Sequence, residues 1–212
     1  MSEVRIKICG ISTPEALAAA IAARADYFGL MFYAPSPRNL AFEQAAQLAA
    51  QAGARIGRVG VFVDPDDALL DQAVAAGQLD VLQLNATAPA RRAELRARYG
   101  LPVWAVHEVA GPDSLAGLDQ SSADDLLLYD AKTPKGAALP GGMGLSFDWA
   151  MLASVKHPQH WGLAGGLTPA NVSAAIALTG TPLVDTSSGV ESAPGIKDPA
   201  LIAAFCKAAR AT

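Results

Sequence analysis

The chain has 212 residues, and 51% of them are apolar, which is enough for a buried core and too apolar for a disordered chain. Its 16 Lys and Arg and 20 Asp and Glu residues give a net charge of −4 and form no basic stripe, which argues against a nucleic-acid partner. No apolar run approaches the roughly 18 residues that a membrane span requires, so we expect no membrane partner either.

The first residues and the cysteines indicate a compartment. The segment from Met1 to Arg5 lacks the basic and then apolar organisation of a signal peptide, and we therefore expect a cytoplasmic protein. The two cysteines, Cys9 and Cys206, lie at opposite ends of the chain. This usage predicts reduced thiols rather than a disulfide framework.

Short β-branched or apolar runs alternate with Ala-rich helical patterns along the chain, which is typical of repeated βα units on a parallel sheet. An open doubly wound sheet could hold the same strands. The number of units and the position of the motifs below favour a single-domain (β/α)₈ TIM barrel formed by residues 1–212. The strands are predicted at residues 4–9, 27–31, 58–63, 81–84, 103–106, 126–130, 161–164 and 183–185.

Three helix starts carry a capping side chain followed by a proline, at Thr13-Pro14, Asp64-Pro65 and Thr168-Pro169. The segment 111–125 is rich in Ser, Asp and Gly and predicts at most a short helix. Residues 134–144 form the longest predicted loop. In a barrel, the residues just after each strand gather at one rim, where active sites lie.

Two of these strand ends carry glycine-bearing turns, after the seventh and eighth strands. Gly165 and Gly166 lie in the first turn, and Ser187, Ser188 and Gly189 lie in the second. Glycine lets backbone N–H groups approach an anion, and barrels commonly bind phosphate at this place. Tight turns without a ligand are the alternative, but two such loops at the expected rim favour a phosphate site.

Two other strand ends carry candidate acid–base groups. A thiol such as Cys9 is a base if a positive field stabilises the thiolate, and phosphate-site amides or Lys7 would supply that field. By itself Cys9 would more often be a small buried residue. Asp130 ends an apolar strand, where partial desolvation raises a carboxyl pKa toward that of a general acid, although a helix or loop cap is an equal alternative.

A base and an acid at one barrel mouth, with a phosphate held beside them, suit proton transfers on a sugar phosphate. Such a reaction needs no electron carrier. The sequence therefore points to an isomerase that acts on a small phosphorylated molecule.

Several motifs together resemble the phosphoribosylanthranilate isomerase family of tryptophan biosynthesis. They follow the order of that family from Lys7 to Asp198 and cover nearly the whole chain. The motifs are KICGI at 7–11, SPR at 36–38, VGVFV at 59–63, LQL at 82–84, DAKT at 130–133, GGMG at 141–144, AGGL at 164–167 and VDTSSGVE at 184–191.

The resemblance implies an Amadori rearrangement of N-(5′-phosphoribosyl)anthranilate without a metal or a cofactor. It implies that Asp130 protonates the furanose ring oxygen and that Cys9 removes the C2′ proton. It further implies that Arg38 lies near the anthranilate carboxylate and that Asp185 orients the phosphate loop or the ring rather than transferring a proton. His157 and His160 have ligand-like spacing, but we interpret them as solvated loop histidines.

The chain departs from the family after the fourth strand, where Asn85 replaces the usual His. An Asn amide hydrogen-bonds a substrate group but does not stack or titrate, so anthranilate affinity is the property most affected. His107, expected after the fifth strand, is a candidate to compensate. The sixth loop also differs, with Ala137, Ala138 and Met143 in it.

Two other functions stay open from the sequence alone. One is a related sugar-phosphate isomerisation of the histidine-pathway Amadori type, which a pair of aspartates generally carries out. The other is a phosphate-binding barrel that has lost catalysis. We expect a monomer, because no long apolar stripe is left over after the barrel helices are packed.

Overall fold

The protein is described here by a computed structural model, which covers residues 3–115, 124–131 and 146–211. Eight parallel strands, hydrogen-bonded in sequence order, close into a barrel through pairing of the first strand with the eighth. The predicted TIM barrel is thereby confirmed, and the open doubly wound sheet is excluded. The strands are β1 (Arg5–Ile8), β2 (Tyr27–Phe32), β3 (Gly57–Val63), β4 (Val81–Asn85), β5 (Val103–Val109), β6 (Leu126–Ala131), β7 (Trp161–Leu163) and β8 (Leu183–Thr186).

Side chains alternate between two apolar layers along each strand, as the pleat requires. On β3, Val59 and Val61 belong to the cluster that fills the barrel interior. Phe62, whose side chain is on the opposite face of β3, belongs to the larger cluster between the sheet and the helices. Because the strands are buried on both faces, they read in the sequence as nearly continuous apolar runs.

Helices cover the outside of the barrel, and a short antiparallel hairpin follows the last barrel strand. The helices are α1 (Pro14–Ala22), α2 (Phe42–Ala52), α3 (Asp67–Gly77), α4 (Pro89–Tyr99), α5 (Pro112–Leu115), α6 (Val172–Thr179) and α7 (Pro199–Ala209), and the hairpin strands are β9 (Glu191–Ala193) and β10 (Ile196–Lys197). Two 3₁₀ helices, Trp149–Ser154 and Ser188–Val190, complete the described elements.

The first predicted helix start is confirmed, since the Thr13 hydroxyl accepts from the amide of Ala16 and Pro14 opens α1. The second was wrong by two residues. Asp66, not Asp64, caps α3, because its carboxylate accepts from the amide of Leu69 at 2.8 Å.

The third predicted start, at Pro169, was also wrong, because α6 begins at Val172. The intervening residues form a turn in which the amide of Thr168 donates to Asn171 Oδ1 at 2.7 Å. Asn171 Nδ2 in turn donates to the carbonyl of Gly166 at 3.0 Å, which ties the turn to the loop after β7.

Two sequence predictions fall largely on residues whose structure is not described. Within 111–125 the structure describes α5, which has four residues, and residues 124–125. The predicted loop 134–144, with Ala137, Ala138 and Met143, lies outside the described residues.

Both cysteines are free and buried. No helix among the described residues is long and apolar enough to cross a membrane.

Candidate active site

Cys9 directly follows β1 at the carboxyl end of the barrel and is 6% exposed. The close approach of β2 leaves room only for a glycine beside it, since a Cβ on Gly29 would lie 2.9 Å from Cys9 Sγ. Burial raises the pKa of the Cys9 thiol, and nearby Lys7 opposes that rise without outweighing it. The positive field expected from the sequence is therefore present but does not by itself yield a thiolate in the free protein.

Lys7 and Asp185 form an ion pair inside the barrel. Lys7 is 0% exposed, and its Nζ donates to Asp185 Oδ2 at 2.8 Å. The two residues are register partners on β1 and β8, so the pair spans the closure of the barrel. Asp185 Oδ1 is buried and has no hydrogen-bond partner among the described residues. Burial raises the pKa of Asp185, although Lys7 opposes this.

Asp130 lies near the end of β6 and has the electrostatics of a general acid. Burial raises the pKa of its carboxyl to about 7, although the amide of Ala131 donates to Oδ1 at 2.8 Å and lowers it. The charge of Asp185 adds to the rise, Lys7 opposes it, and Glu108 adds a smaller rise. Near neutral pH such a carboxyl is able both to give and to take a proton.

The loops after β7 and β8 are in contact along their backbones. Gly165 and Gly166 have φ values of +84° and +68°, in the left-handed region that favours glycine. A Cβ on Gly165 would lie 2.8 Å from the amide nitrogen of Ala131, so this loop also fits tightly against the end of β6. The Thr186 hydroxyl donates to the carbonyl of Leu167 at 2.7 Å and joins the two loops.

Ser187, Ser188 and Gly189 follow β8, with Ser188 and Gly189 in the 3₁₀ helix Ser188–Val190. The Ser187 hydroxyl donates to the carbonyl of Cys9 at 3.1 Å and accepts from Lys197 Nζ at 3.2 Å. The structure thus brings the predicted phosphate loop beside the predicted base. The hydroxyl of Ser187 itself is directed toward the protein.

Arg38 is 4% exposed, and its guanidinium donates to Glu191 through Nε at 2.7 Å and through Nη2 at 2.8 Å. It crosses over Gly10, where a Cβ would lie 2.5 Å from Arg38 Cδ. Glu191 also accepts from Lys197 Nζ at 2.5 Å, so one carboxylate pairs with two buried cations. Glu191 and Lys197 were missed as site residues, although Glu191 is the last residue of the VDTSSGVE motif.

Asn85 is the last residue of β4 and is partly exposed. Its Nδ2 donates to the carbonyl of Phe62 at 2.8 Å, which holds the amide against the end of β3. The residue is therefore at the rim, as predicted, but its amide donor is engaged within the protein.

Two histidine predictions were wrong. His107 lies within β5 rather than after it, on the strand face that is directed toward the helices. Its Nε2 is 2.7 Å from the carbonyl of Ser114, so it does not compensate at the rim for the His that Asn85 replaces. His157 is half-buried rather than solvated, because its ring stacks on Trp161 at 3.8 Å between centroids. His160 is exposed, as predicted.

Comparison with known proteins identifies the family. A profile of the family described as N-(5′-phosphoribosyl)anthranilate (PRA) isomerase matches residues 6–208. The chain is also 53% identical over 211 residues to the N-(5′-phosphoribosyl)anthranilate isomerase of Paracoccus denitrificans, covering 99% of this chain and 97% of that protein. The chain belongs to the phosphoribosylanthranilate isomerase family. The family and the isomerase activity predicted from the sequence are thereby confirmed.

Solved structures of phosphoribosylanthranilate isomerases agree with this assignment. The enzyme from Thermotoga maritima is 30% identical and superposes with a TM-score of 0.84, covering 99% of this chain and all of that one. A phosphoribosylanthranilate isomerase in complex with reduced 1-(o-carboxyphenylamino)-1-deoxyribulose 5-phosphate is 28% identical, with a TM-score of 0.82 and coverage of 99% and 100%. A further Thermotoga maritima structure, 30% identical with a TM-score of 0.81 and coverage of 99% and 100%, is described as monomers of a dimeric phosphoribosylanthranilate isomerase.

Proposed function

We propose that this chain, as one barrel domain over residues 1–212, carries out the isomerisation step of tryptophan biosynthesis with Cys9 and Asp130 as its acid–base groups. The reaction converts N-(5′-phosphoribosyl)anthranilate into 1-(2-carboxyphenylamino)-1-deoxyribulose 5-phosphate. One observation carries the assignment of these groups. The buried Lys7–Asp185 pair acts electrostatically on both Cys9 and Asp130, so the thiol and the carboxyl share one charged site.

Asp130 is the general acid of the first step. Its proton passes to the furanose ring oxygen, the bond from that oxygen to C1′ breaks, and the nitrogen lone pair forms a protonated Schiff base. The raised pKa of Asp130, about 7, leaves a large protonated fraction at neutral pH, which an ordinary carboxyl would not have.

Cys9 is the base of the second step. Its thiolate removes the C2′ proton, and the electrons of that C–H bond neutralise the Schiff base to give an enolamine. The enolamine then gains a proton at C1′ from the Cys9 thiol and loses one from the C2′ hydroxyl to the Asp130 carboxylate, which yields the ketose and restores both groups. Protons taken up and released balance over the cycle, so the reaction as written uses no cofactor and no metal.

The loops after β7 and β8 are assigned to the substrate phosphate. We assign phosphate binding to the backbone amides of Gly165, Gly166, Ser188 and Gly189. Because the hydroxyl of Ser187 is engaged with the Cys9 carbonyl, we assign to Ser187 a backbone contribution and a role in joining the loop to β1.

The remaining substrate contacts are assigned to Arg38, Asn85 and Asp185. The fork of Arg38 suits the anthranilate carboxylate, which would compete with Glu191 for it. Asn85 Oδ1 is the acceptor left after its amide donates to Phe62. Asp185 orients the ring or the phosphate loop through Oδ1, since Lys7 holds Oδ2.

The assembly and the location are part of the same proposal. We assign a cytoplasmic monomer that acts on a small phosphorylated molecule. Sedimentation at micromolar concentration tests the assembly, and a mass of two chains would contradict it.

The decisive experiment follows the fluorescence of phosphoribosylanthranilate made in situ from anthranilate and phosphoribosyl pyrophosphate. The purified protein should consume it faster than the buffer control, and Cys9→Ala should lower kcat at least ~100-fold, as is typical for acid–base residues. Cys206→Ala, which removes the other buried thiol, is the matched control and should leave kcat unchanged. Tight product binding without turnover would support the silent barrel instead, and a Cys9→Ala variant active on the histidine-pathway substrate would support that isomerisation.

A further inference from the structure

A lysine is fully buried in a barrel interior that is lined mostly by apolar side chains. Lys7 has a relative exposure of 0%, and its Nζ donates to Asp185 Oδ2 at 2.8 Å. Removing two charges from water costs several kcal/mol per ion, which the attraction between them repays only in part, so stability alone is a weak reason for such a pair. The pair calls for a functional account.

The position of Lys7 in β1 supplies that account. Side chains two residues apart on a strand point to the same face, so Lys7 and Cys9 both face the barrel interior. Cys9 packs there with Val59 and Leu183. The ammonium of Lys7 is thus held one layer below the thiol, and Asp185, its register partner on β8, fixes it in place.

Other charged groups also surround the thiol. Asp185 opposes thiolate formation, and Lys197 on β10 favours it less strongly than Lys7 does. Arg38 lies over Gly10, with its guanidinium held by Glu191. Among the groups that favour the thiolate, Lys7 has the largest effect.

We propose that Lys7 is the positioning residue that keeps Cys9 able to act as a base, with Asp185 as the anchor that holds the Lys7 ammonium beneath the sulfur. This inference rests on the proposed role of Cys9. Lys7 acts through the Cys9 thiol, with which it interacts by charge and by a side-chain hydrogen bond, and it exchanges no proton in the cycle. It compensates the negative charge that appears on sulfur when the thiolate forms.

The test titrates the Cys9 thiol by the ultraviolet absorbance of its thiolate, in a Cys206→Ala background where Cys9 is the sole cysteine. Lys7→Met should raise the midpoint by ~1–3 pH units, the usual effect of losing a neighbouring opposite charge. Asp185→Asn should lower it, because a negative charge is lost while the side-chain carbonyl of the new amide can still accept from the Lys7 ammonium. Opposite shifts from two partners of one ion pair are not expected of a merely structural pair.

Arg5→Met is the matched control, since Arg5 lies on the same face of β1 at the other end of the strand and interacts with the Tyr27 ring. It removes one positive charge away from the thiol and should leave the Cys9 midpoint unchanged. Lys7→Arg keeps the charge and should recover at least part of the shift. A midpoint that is unshifted in both Lys7→Met and Asp185→Asn overturns the proposal.

Two further readings make the test complete. The inflection of kcat/KM that reports Cys9 should move in parallel with the titration, with kcat reduced more than KM is raised. If Lys7→Met does not fold, the direction of the shift in Asp185→Asn decides. If the titrations shift as expected while Cys9→Ala keeps full activity, the proposed function of Cys9 fails, and the link from Lys7 to catalysis fails with it. Unshifted titrations together with an inactive Cys9→Ala variant overturn the Lys7 inference alone.

Discussion

A Cβ on Gly189 would lie 1.9 Å from the carbonyl oxygen of Leu167. Only a glycine permits this approach, which brings the loop after β8 into backbone contact with the loop after β7. The two loops proposed to bind phosphate therefore form one unit rather than two independent turns.

Gly189→Ala should separate these loops and weaken binding of the phosphorylated substrate. We expect KM to rise about tenfold or more, because breaking one charge-assisted hydrogen bond of about 1.5 kcal/mol weakens binding by that factor. Steady-state kinetics at constant pH measure the change in KM. Gly111→Ala is the control, because nothing lies within 4 Å of the Cβ added there. Equal KM values for the two variants would argue against a phosphate site in these loops.

Asp130→Asn should lower activity and raise stability together. The wild-type pKa rises on folding from 3.8 to about 7, so the folded protein binds more protons than the unfolded chain between these values and loses stability as pH increases through them. At 1.36 kcal/mol per pKa unit this is about 4 kcal/mol above pH 7. Asparagine removes that cost.

Chemical denaturation at pH 4 and at pH 8 checks the stability prediction. The free energy of unfolding should be similar for wild type and Asp130→Asn at pH 4 and higher in the variant at pH 8. Asp113→Asn, at an exposed position on α5, is the control and should show no such divergence. A variant that is less stable than wild type at pH 8 would contradict the raised pKa.

Glu108→Gln should shift the limb of the pH–rate profile that reports Asp130. Glu108 and Asp130 are register partners on β5 and β6, and the negative charge of Glu108 contributes to the raised pKa of Asp130. Without that charge the Asp130 carboxyl loses its proton at lower pH, so the inflection of kcat/KM that reports Asp130 should move to lower pH. Because Glu108 is exposed, the expected shift is a few tenths of a pH unit. Glu43→Gln, on the exposed face of α2, should leave the limb unchanged.

Glu191→Gln should destabilise the protein, because two buried cations, Arg38 and Lys197, lose their shared carboxylate. We expect a loss of roughly 3–5 kcal/mol at neutral pH, typical of removing one partner of a buried ion pair. Burial raises the pKa of Glu191, but Arg38 and Lys197 outweigh this and lower it, so the stabilisation is present above pH 4.5 and is lost as pH falls further.

Thermal melts at neutral and acid pH measure this effect, and the difference between wild type and Glu191→Gln should shrink as pH falls below 4.5. Glu94→Gln removes an exposed partner of Arg91 and should cost at most ~1 kcal/mol. Comparable losses in the two variants would show that the carboxylate of Glu191 does not stabilise the two buried cations.

The sequence predicted every barrel strand to within a few residues, because strands buried on both faces give short apolar runs between recognisable helix caps. It was less accurate where local and tertiary contacts compete. The cap at Thr168 predicted a helix from Pro169, but Asn171 bonds back to Gly166 and delays α6 by three residues.

The same contrast holds in the site. Cys9, Asp130 and the glycine loops lie at or just after strand ends in the sequence, which predicted their place at the rim but left their roles open. The partnership of Glu191 with Arg38 joins residues 153 positions apart and has no local signal. Side chains alternate between the two faces along β1, so Lys7 shares a face with Cys9. The sequence alone was therefore sufficient to place Lys7 inside the barrel.

The junction of β1 and β8 brings the two ends of the chain together. The amide of Cys9 donates to the carbonyl of Thr186 at 2.8 Å, and the Ser187 hydroxyl returns to the carbonyl of Cys9. A nascent chain therefore holds no complete form of the proposed catalytic centre until its eighth strand has been synthesised and has docked. Recovery of turnover during refolding would then report the final closure event, whereas far-ultraviolet circular dichroism would follow the earlier appearance of the helices.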